Sequence, residues 1–304
     1  MSDEKTPDME SEDGVYRAGF VAILGPPNAG KSTLMNRILG QKLAIVTAKP
    51  QTTRSRILGI HSLPNAQVLF VDTPGLHEST KLLNTALNEA VGDAARKCDV
   101  GVILVDLKEG WQDVHQQLRE KLADFGKPML VVGTKCDLVK DDVVAVLPSH
   151  GAEPAAVLRV SGTTGEAVKE LEAAIVAQLP ESPPLYDQDV LTDRPVRWLA
   201  GEFVRESVFE SLGQELPYAM AVDVIKYEEG NGELVTIHAN ILVMRDSQKR
   251  IVVGRGGSMV KKIGIRARKQ IEQMVDCQVH LKLFVKIDPK WLKSAKRIDA
   301  LGYN

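Results

Sequence analysis

The run Gly25-Pro26-Pro27-Asn28-Ala29-Gly30-Lys31-Ser32 directly follows the apolar segment Phe20-Val21-Ala22-Ile23-Leu24, and this juxtaposition narrows the choice of fold sharply. It fits G-x-x-x-x-G-K-[ST], in which a buried strand feeds a glycine-rich turn whose backbone N–H groups close around a phosphate. Thr33-Leu34-Met35-Asn36-Arg37-Ile38-Leu39 then reads as an amphipathic helix stopped at Gly40, placing the turn at a helix N-terminus, where anions are favoured. In this reading Gly25, Asn28, Ala29, Gly30 and Thr33 form the cradle, Lys31 reaches the β- and γ-phosphates, and the Ser32 hydroxyl ligates Mg²⁺. The expectation is an α/β domain that handles a nucleoside triphosphate.

Which base it takes follows from three later turns. Val68-Leu69-Phe70-Val71 is a second short buried strand ending in Asp72-Thr73-Pro74-Gly75. Asp72 would hold Mg²⁺ through water, and the Gly75 N–H would sense the γ-phosphate. Met129-Leu130-Val131-Val132-Gly133 leads into Thr134-Lys135-Cys136-Asp137, and Val157-Leu158-Arg159-Val160 into Ser161-Gly162-Thr163. Guanine offers N1–H and the 2-amino group side by side, which one carboxylate accepts together; adenine has neither, and a buried acceptor left unpaired rejects it. Asp137 is the expected specificity residue, with the Lys135 stem stacked on the base and the Gly162 N–H facing O6.

In this order the motifs resemble those of the translation-factor-related small GTPases, which implies a GTP/GDP site with Mg²⁺. That family commonly has Asn-Lys-x-Asp where this chain has Thr134. Thr keeps a hydroxyl but loses the carboxamide that contacts the base and ties this loop to the phosphate loop; selectivity is expected to survive through Asp137, and Thr134 has two readings, weaker affinity or a simply tolerated variant. Thr47-Ala48-Lys49-Pro50-Gln51-Thr52-Thr53-Arg54 has no regular period and reads as a loop. The resemblance makes it the first switch, with Thr53 completing the Mg²⁺ shell beside Ser32 and Asp72, and Thr52 as second candidate. Position 76 is Leu, which cannot hydrogen-bond the attacking water, so other groups or a partner must place it. Asn28 has two readings, a turn residue or a ligand of a K⁺ ion that supplies catalytic charge. The catalytic set is then Lys31, Asn28, Thr53 and Gly75.

The 304 residues suggest two domains of roughly 150 each. Leu179-Pro180-Glu181-Ser182-Pro183-Pro184 cannot continue a helix. We expect an acidic tail over 1–14, a nucleotide domain over 15–180, a linker over 181–194 and a second domain over 195–304. The overall net charge of −2 conceals a split, because residues 190–304 hold 19 Lys and Arg against 14 Asp and Glu, and residues 245–304 hold 15 against 5. A basic module of this kind suits a polyanion.

Pro195–Leu212 has helical apolar spacing, and Met220–Tyr227 and Leu234–Met244 read as strands joined by Glu229-Gly230-Asn231-Gly232. After Ile251-Val252-Val253 come Gly254-Arg255-Gly256-Gly257, a basic helix over about 258–274, and an alternating strand from Val279 to Ile287. The order resembles the α+β type II KH fold, whose G-x-x-G loop lets backbone approach nucleic-acid phosphates. Arg255 adds charge to that loop, and Lys261, Lys262 and Arg266 continue it along the helix. Ile251, Val252 and Ile263 are candidates to line the groove, with core packing expected for at least two.

Gln51-Thr52-Thr53-Arg54, Asp72 to His77, Glu215-Leu216-Pro217-Tyr218 and Ile263 to Arg268 together resemble the Era family of bacterial GTPases over roughly residues 15–304. The resemblance implies binding near the 3′ end of 16S rRNA and a role in assembly of the small (30S) ribosomal subunit, by a monomer. It leaves open weak attachment to the membrane surface. Cys98, Cys136 and Cys277 are too scattered for a disulfide framework or zinc site, which fits a reducing cytoplasm. A metabolic P-loop ATPase conflicts with Asp137 and Ser161-Gly162, and a passive RNA scaffold conflicts with the intact Lys31, Ser32, Asp72 and Gly75.

Overall fold

The structure is a computed structural model that describes residues 15–47, 57–72, 92–140, 142–144, 148–213, 216–230, 232–291, 294, 297–298 and 301. In the first half, β1 (Arg17–Leu24), β3 (Ala66–Asp72), β4 (Val100–Asp106), β5 (Met129–Thr134) and β6 (Ala156–Arg159) run parallel, and β2 (Ile57–Leu63) pairs antiparallel with β3. The sheet order is β2-β3-β1-β4-β5-β6. Continuous apolar runs such as Val-Gly-Val-Ile-Leu-Val in β4 are what a sheet covered on both faces requires. Accordingly one apolar cluster packs below the sheet around Leu34, Phe70 and Leu171, and a second above it around Leu24, Ile103 and Leu118. The helices α1 (Lys31–Leu39), α2 (Asp113–Asp124) and α3 (Val168–Val176) surround it.

The chain order doubles back at β1, with β3 on one side and β4 on the other. In an open parallel sheet that point opens a crevice at the carboxyl ends of the strands. The phosphate loop, Asp72, Asp106, Thr134 and Ser161 all lie at or just beyond such ends.

The connecting segment is pinned along the sheet edge. The buried Gln67 side chain accepts from the N–H groups of Leu185 (2.8 Å) and Tyr186 (2.9 Å) and donates to the Tyr186 carbonyl (2.8 Å). Ile60 N–H donates to the Leu191 carbonyl at 2.8 Å.

The second half begins with α4 (Val196–Ser211), followed by β7 (Ala221–Glu229), β8 (Leu234–Val243), α5 (Asp246–Val253), α6 (Ser258–Val275) and β9 (Gln278–Ile287). β7 and β8 are antiparallel, as a short turn allows, and β8 and β9 are parallel, which needs the long α5–α6 crossover. A third core joins Phe203 and Val208 of α4, Ile237 and Ile241 of β8, and Ile263, Ala267 and Ile271 of α6. Val252 belongs to it too, so Val252 and Ile263 are core residues, whereas Ile251 is 56% exposed.

Candidate nucleotide site and nucleic-acid interface

Lys31 opens α1, and Gly30 before it takes a left-handed backbone conformation (φ 92°). The loop is packed to its limit on the protein side, since a Cβ on Gly25 would sit 2.8 Å from the Leu104 carbonyl oxygen. Lys31 is 6% exposed, and its ammonium donates to the carbonyls of Gly25 (3.1 Å) and Pro26 (2.8 Å). Burial pushes its pKa down to about 8, with Asp72 opposing that in part. A desolvated cation held on loop carbonyls suits an arriving phosphate, which restores its charge balance. Ser32 Oγ donates to Asp72 Oδ2 at 3.0 Å. These two oxygens come from the start of α1 and the end of β3, and they fit a small hard cation that keeps several waters. Thr53 and Gly75 lie outside the described residues.

The base-reading side is built on β5 and β6. Thr134 is buried, and its hydroxyl donates to the Ala29 carbonyl in the phosphate loop at 2.8 Å. This corrects the expectation that replacing Asn by Thr loses the tie between the two loops: the shorter side chain makes it from closer in. Lys135 adopts a left-handed conformation (φ 60°), and its ammonium pairs with Asp106 Oδ2 at 2.6 Å, which extends the aliphatic stem along the crevice. A short helical turn, Cys136–Leu138, leaves Asp137 exposed. Ser161 is fully buried, and its hydroxyl accepts the N–H groups of Thr163 (3.2 Å) and Thr164 (3.0 Å), closing the turn that carries Gly162. Asn28 has φ 62°, the conformation of a turn residue.

In the second domain, Gly254 (φ 72°) ends α5, and Gly256 (φ 57°) and Gly257 (φ 80°) precede α6. A Cβ on Gly254 would clash with Met259 Cβ at 2.7 Å, whereas Gly256 and Gly257 face open space. The turn therefore presents bare backbone and the N-terminus of an 18-residue helix, a combination that attracts phosphate. Beside it runs a groove of about 410 Å³ between α6 and β9, lined by Lys261, Gly264, Ile265, Arg268, His280 and Leu283 among others. Lys261 faces this groove, as does Arg268 two turns further along α6. Lys262 is exposed outside it. Arg266 points the other way, its Nε 2.5 Å from Glu210 of α4.

Sequence reasoning missed the seam joining the two halves. Glu206 of α4 is 1% exposed, and its carboxylate accepts from Val46 N–H (2.9 Å), Lys42 Nζ (2.6 Å) and Gln270 Nε2 of α6 (2.8 Å). Burial, with Glu206 one turn away, pushes the Glu210 carboxyl up. Glu206 in sequence looks like any helical glutamate; only its position beneath residues 42–46 marks it.

Residues 20–135 match the family described as 50S ribosome-binding GTPase, and residues 215–292 match the KH domain family. The chain is 41% identical over 292 residues to GTPase Era of Lacticaseibacillus paracasei, covering 95% of this chain and 97% of that protein. It is also 41% identical over 295 residues to GTPase Era of Geobacter metallireducens, covering 96% and 99%. The chain belongs to the Era family of GTPases.

Solved Era structures agree. Era in complex with MgGDPNP and nucleotides 1506–1542 of 16S ribosomal RNA matches at 33% identity with a TM-score of 0.85, over 95% of this chain and 99% of that one. A point variant of Aquifex aeolicus Era bound to GDP·AlF4⁻ matches at 34% identity with a TM-score of 0.86, over 94% and 99%. The Era-type G domain and the KH domain named from the sequence are both present, and the reaction is hydrolysis of GTP to GDP and phosphate with Mg²⁺. Ser32 and Asp72 are the described residues that would hold Mg²⁺, which when bound would supply positive charge at the phosphates. In this Era-family site the Thr134–Ala29 contact ties the base-reading loop to the phosphate loop, and the Lys135–Asp106 pair ties it to the end of β4.

Proposed function

We propose that this protein binds the 3′ end of 16S rRNA through the groove beside Gly254–Gly257, and that its nucleotide state governs this binding during assembly of the small ribosomal subunit. The observation that carries the reading is Glu206. One buried carboxylate holds both the segment leading to Thr47, where the first switch begins, and the helix that follows the G-x-x-G turn. A change in the switch therefore acts on the groove helix through Glu206, and RNA acts back through the same contact, as reciprocity requires. The structural kinship with Era in complex with MgGDPNP and 16S rRNA supports the choice of RNA.

Within this reading Ile251, Arg255, Lys261 and Lys262 meet RNA, together with the Gly254–Gly257 backbone, and Asp137 and Gly162 read guanine. Thr53 and Gly75 respond to the γ-phosphate. Leu76 offers no group to the attacking water, so we place K⁺ beside Asn28 as the missing charge. The protein works as a cytoplasmic monomer on the 30S subunit, with any membrane attachment weak and peripheral.

Fluorescence anisotropy of a short RNA matching the 16S 3′ end, with a scrambled control, in GTP-analogue and GDP states at fixed salt, tests the reading. Tight binding of the matched RNA in the GTP-analogue state alone supports it. Sequence-blind binding indifferent to nucleotide would overturn it. Equal GTP hydrolysis in K⁺ and Na⁺ would remove the cation from the scheme.

A further inference from the structure

The loop that carries Gly162 is held from outside by a residue that belongs to no motif. Ser161 N–H donates to the Glu166 carbonyl at 3.1 Å, and Gly165 N–H donates to the Ser161 carbonyl at 2.9 Å, so 161–166 is a closed turn. That turn lies directly on α1: a Cβ at Gly162 would come 3.1 Å from Leu34 N and 3.2 Å from Thr33 Cγ2. Three residues further along α1, Arg37 reaches over the turn. Its Nε donates to the Gly162 carbonyl at 3.1 Å, and its Nη2 donates to the Thr163 carbonyl. Its Cζ would lie 3.7 Å from a Cβ on Gly165.

We propose that Arg37 is a specificity-determining positioning residue, which fixes the Gly162 N–H where it meets O6 of guanine. The inference rests on the reading that Gly162 faces O6. Both peptide planes beside the Gly162 Cα are then fixed, one through the Ser161 carbonyl and the other through Arg37. The close approach to Leu34 leaves little room for a side chain at 162, yet glycine is also the residue whose backbone wanders most when unrestrained. A guanidinium fork bonding two successive carbonyls removes that freedom, and charged donors make such bonds strong. The amide N–H discriminates by geometry: displaced, it donates poorly to O6 while the Asp137 contacts to N1–H and the 2-amino group persist. Because α1 also carries Lys31 and Ser32, Arg37 sets the distance between the phosphate and base subsites.

Three diphosphates separate the contributions: GDP; 6-thio-GDP, whose sulfur is a weak acceptor; and IDP, which lacks the 2-amino group. In the full-length protein, Arg37→Ala should weaken GDP binding about tenfold, the loss of one amide hydrogen bond to O6. It should weaken 6-thio-GDP by less than about threefold and leave the GDP-to-IDP ratio unchanged, with Arg37→Lys restoring part of the loss. Equal weakening of all three ligands, or none, would overturn the role of Arg37. If the wild type itself binds GDP and 6-thio-GDP alike, the O6 reading beneath the inference fails, whatever the variants do. Arg37 is exposed, and the melting temperature of the unliganded variant checks its fold.

Discussion

The hydroxyl of Thr134 donates to the carbonyl of Ala29 across 2.8 Å, joining the base-reading loop to the phosphate loop. Thr134→Val keeps the shape and removes the donor, leaving a buried carbonyl short of a partner. We expect a loss of about 1–2 kcal/mol in thermal or denaturant unfolding and weaker GDP binding, with Thr134→Ser close to wild type. Valine and wild-type proteins with equal GDP affinity would show that the tie is idle.

Lys31 gives nucleotide binding a pH dependence of defined sign. Its pKa is about 8 in the unliganded protein, and a bound phosphate raises it, so binding takes up a proton above pH 8. Affinity for GDP should be flat below pH 8 and fall as pH rises through it. The unliganded protein shows the opposite trend. Its lysine pKa is depressed from 10.5, so the unfolded chain binds more protons between the two values and stability rises across that window. Calorimetry in buffers of different ionisation enthalpy counts the proton directly.

Glu206→Ala strips partners from Val46, Lys42 and Gln270 together. The expected cost is about 2–4 kcal/mol, because a buried charge-assisted network loses its centre. The two domains should then unfold in separate steps during a calorimetric scan, where the wild type should unfold in one. A single transition at an unchanged temperature would contradict the seam.

Basic residues of α6 should divide into two groups. Lys261→Ala and Arg268→Ala, in the groove, should each weaken RNA binding at every sequence and lower the salt slope by about one. Arg266→Ala removes the contact with Glu210 instead, so the slope should hold. An equal drop for all three would mean that Arg266 leaves Glu210 for phosphate.

Much of this arrangement was readable from local pattern. The phosphate loop, the strand ends carrying Asp72, Thr134 and Ser161, and the order of the KH elements each follow from short motifs or from the periods of strand and helix. β2 escaped notice because Ile57–Leu63 neither alternates nor stays apolar, and it becomes a strand by pairing with β3. The sequence grouped Arg266 with Lys261 and Lys262 along one basic helix, yet a run of charge says nothing about which neighbour a face meets, and α4 covers that of Arg266. Arg37 and Glu206 carry no motif at all. Their roles arise from carbonyls and amides more than a hundred residues away in the chain.

The strap held by Gln67 and Ile60 changes how the KH domain searches for its partner. A free tether of n residues wanders over roughly 5–6 Å × √n, and a module on it meets its neighbour at a local concentration in the millimolar range. Here the chain is bound to the sheet edge as far as Leu191 and Thr192, which leaves three residues before α4. The second domain is therefore mounted on the first like a door on a jamb. Were the Glu206 contact and the packing of Leu199 on the first core to open, the motion left to the chain would be a swing about 193–195, and the RNA groove would sweep an arc in place of filling a volume.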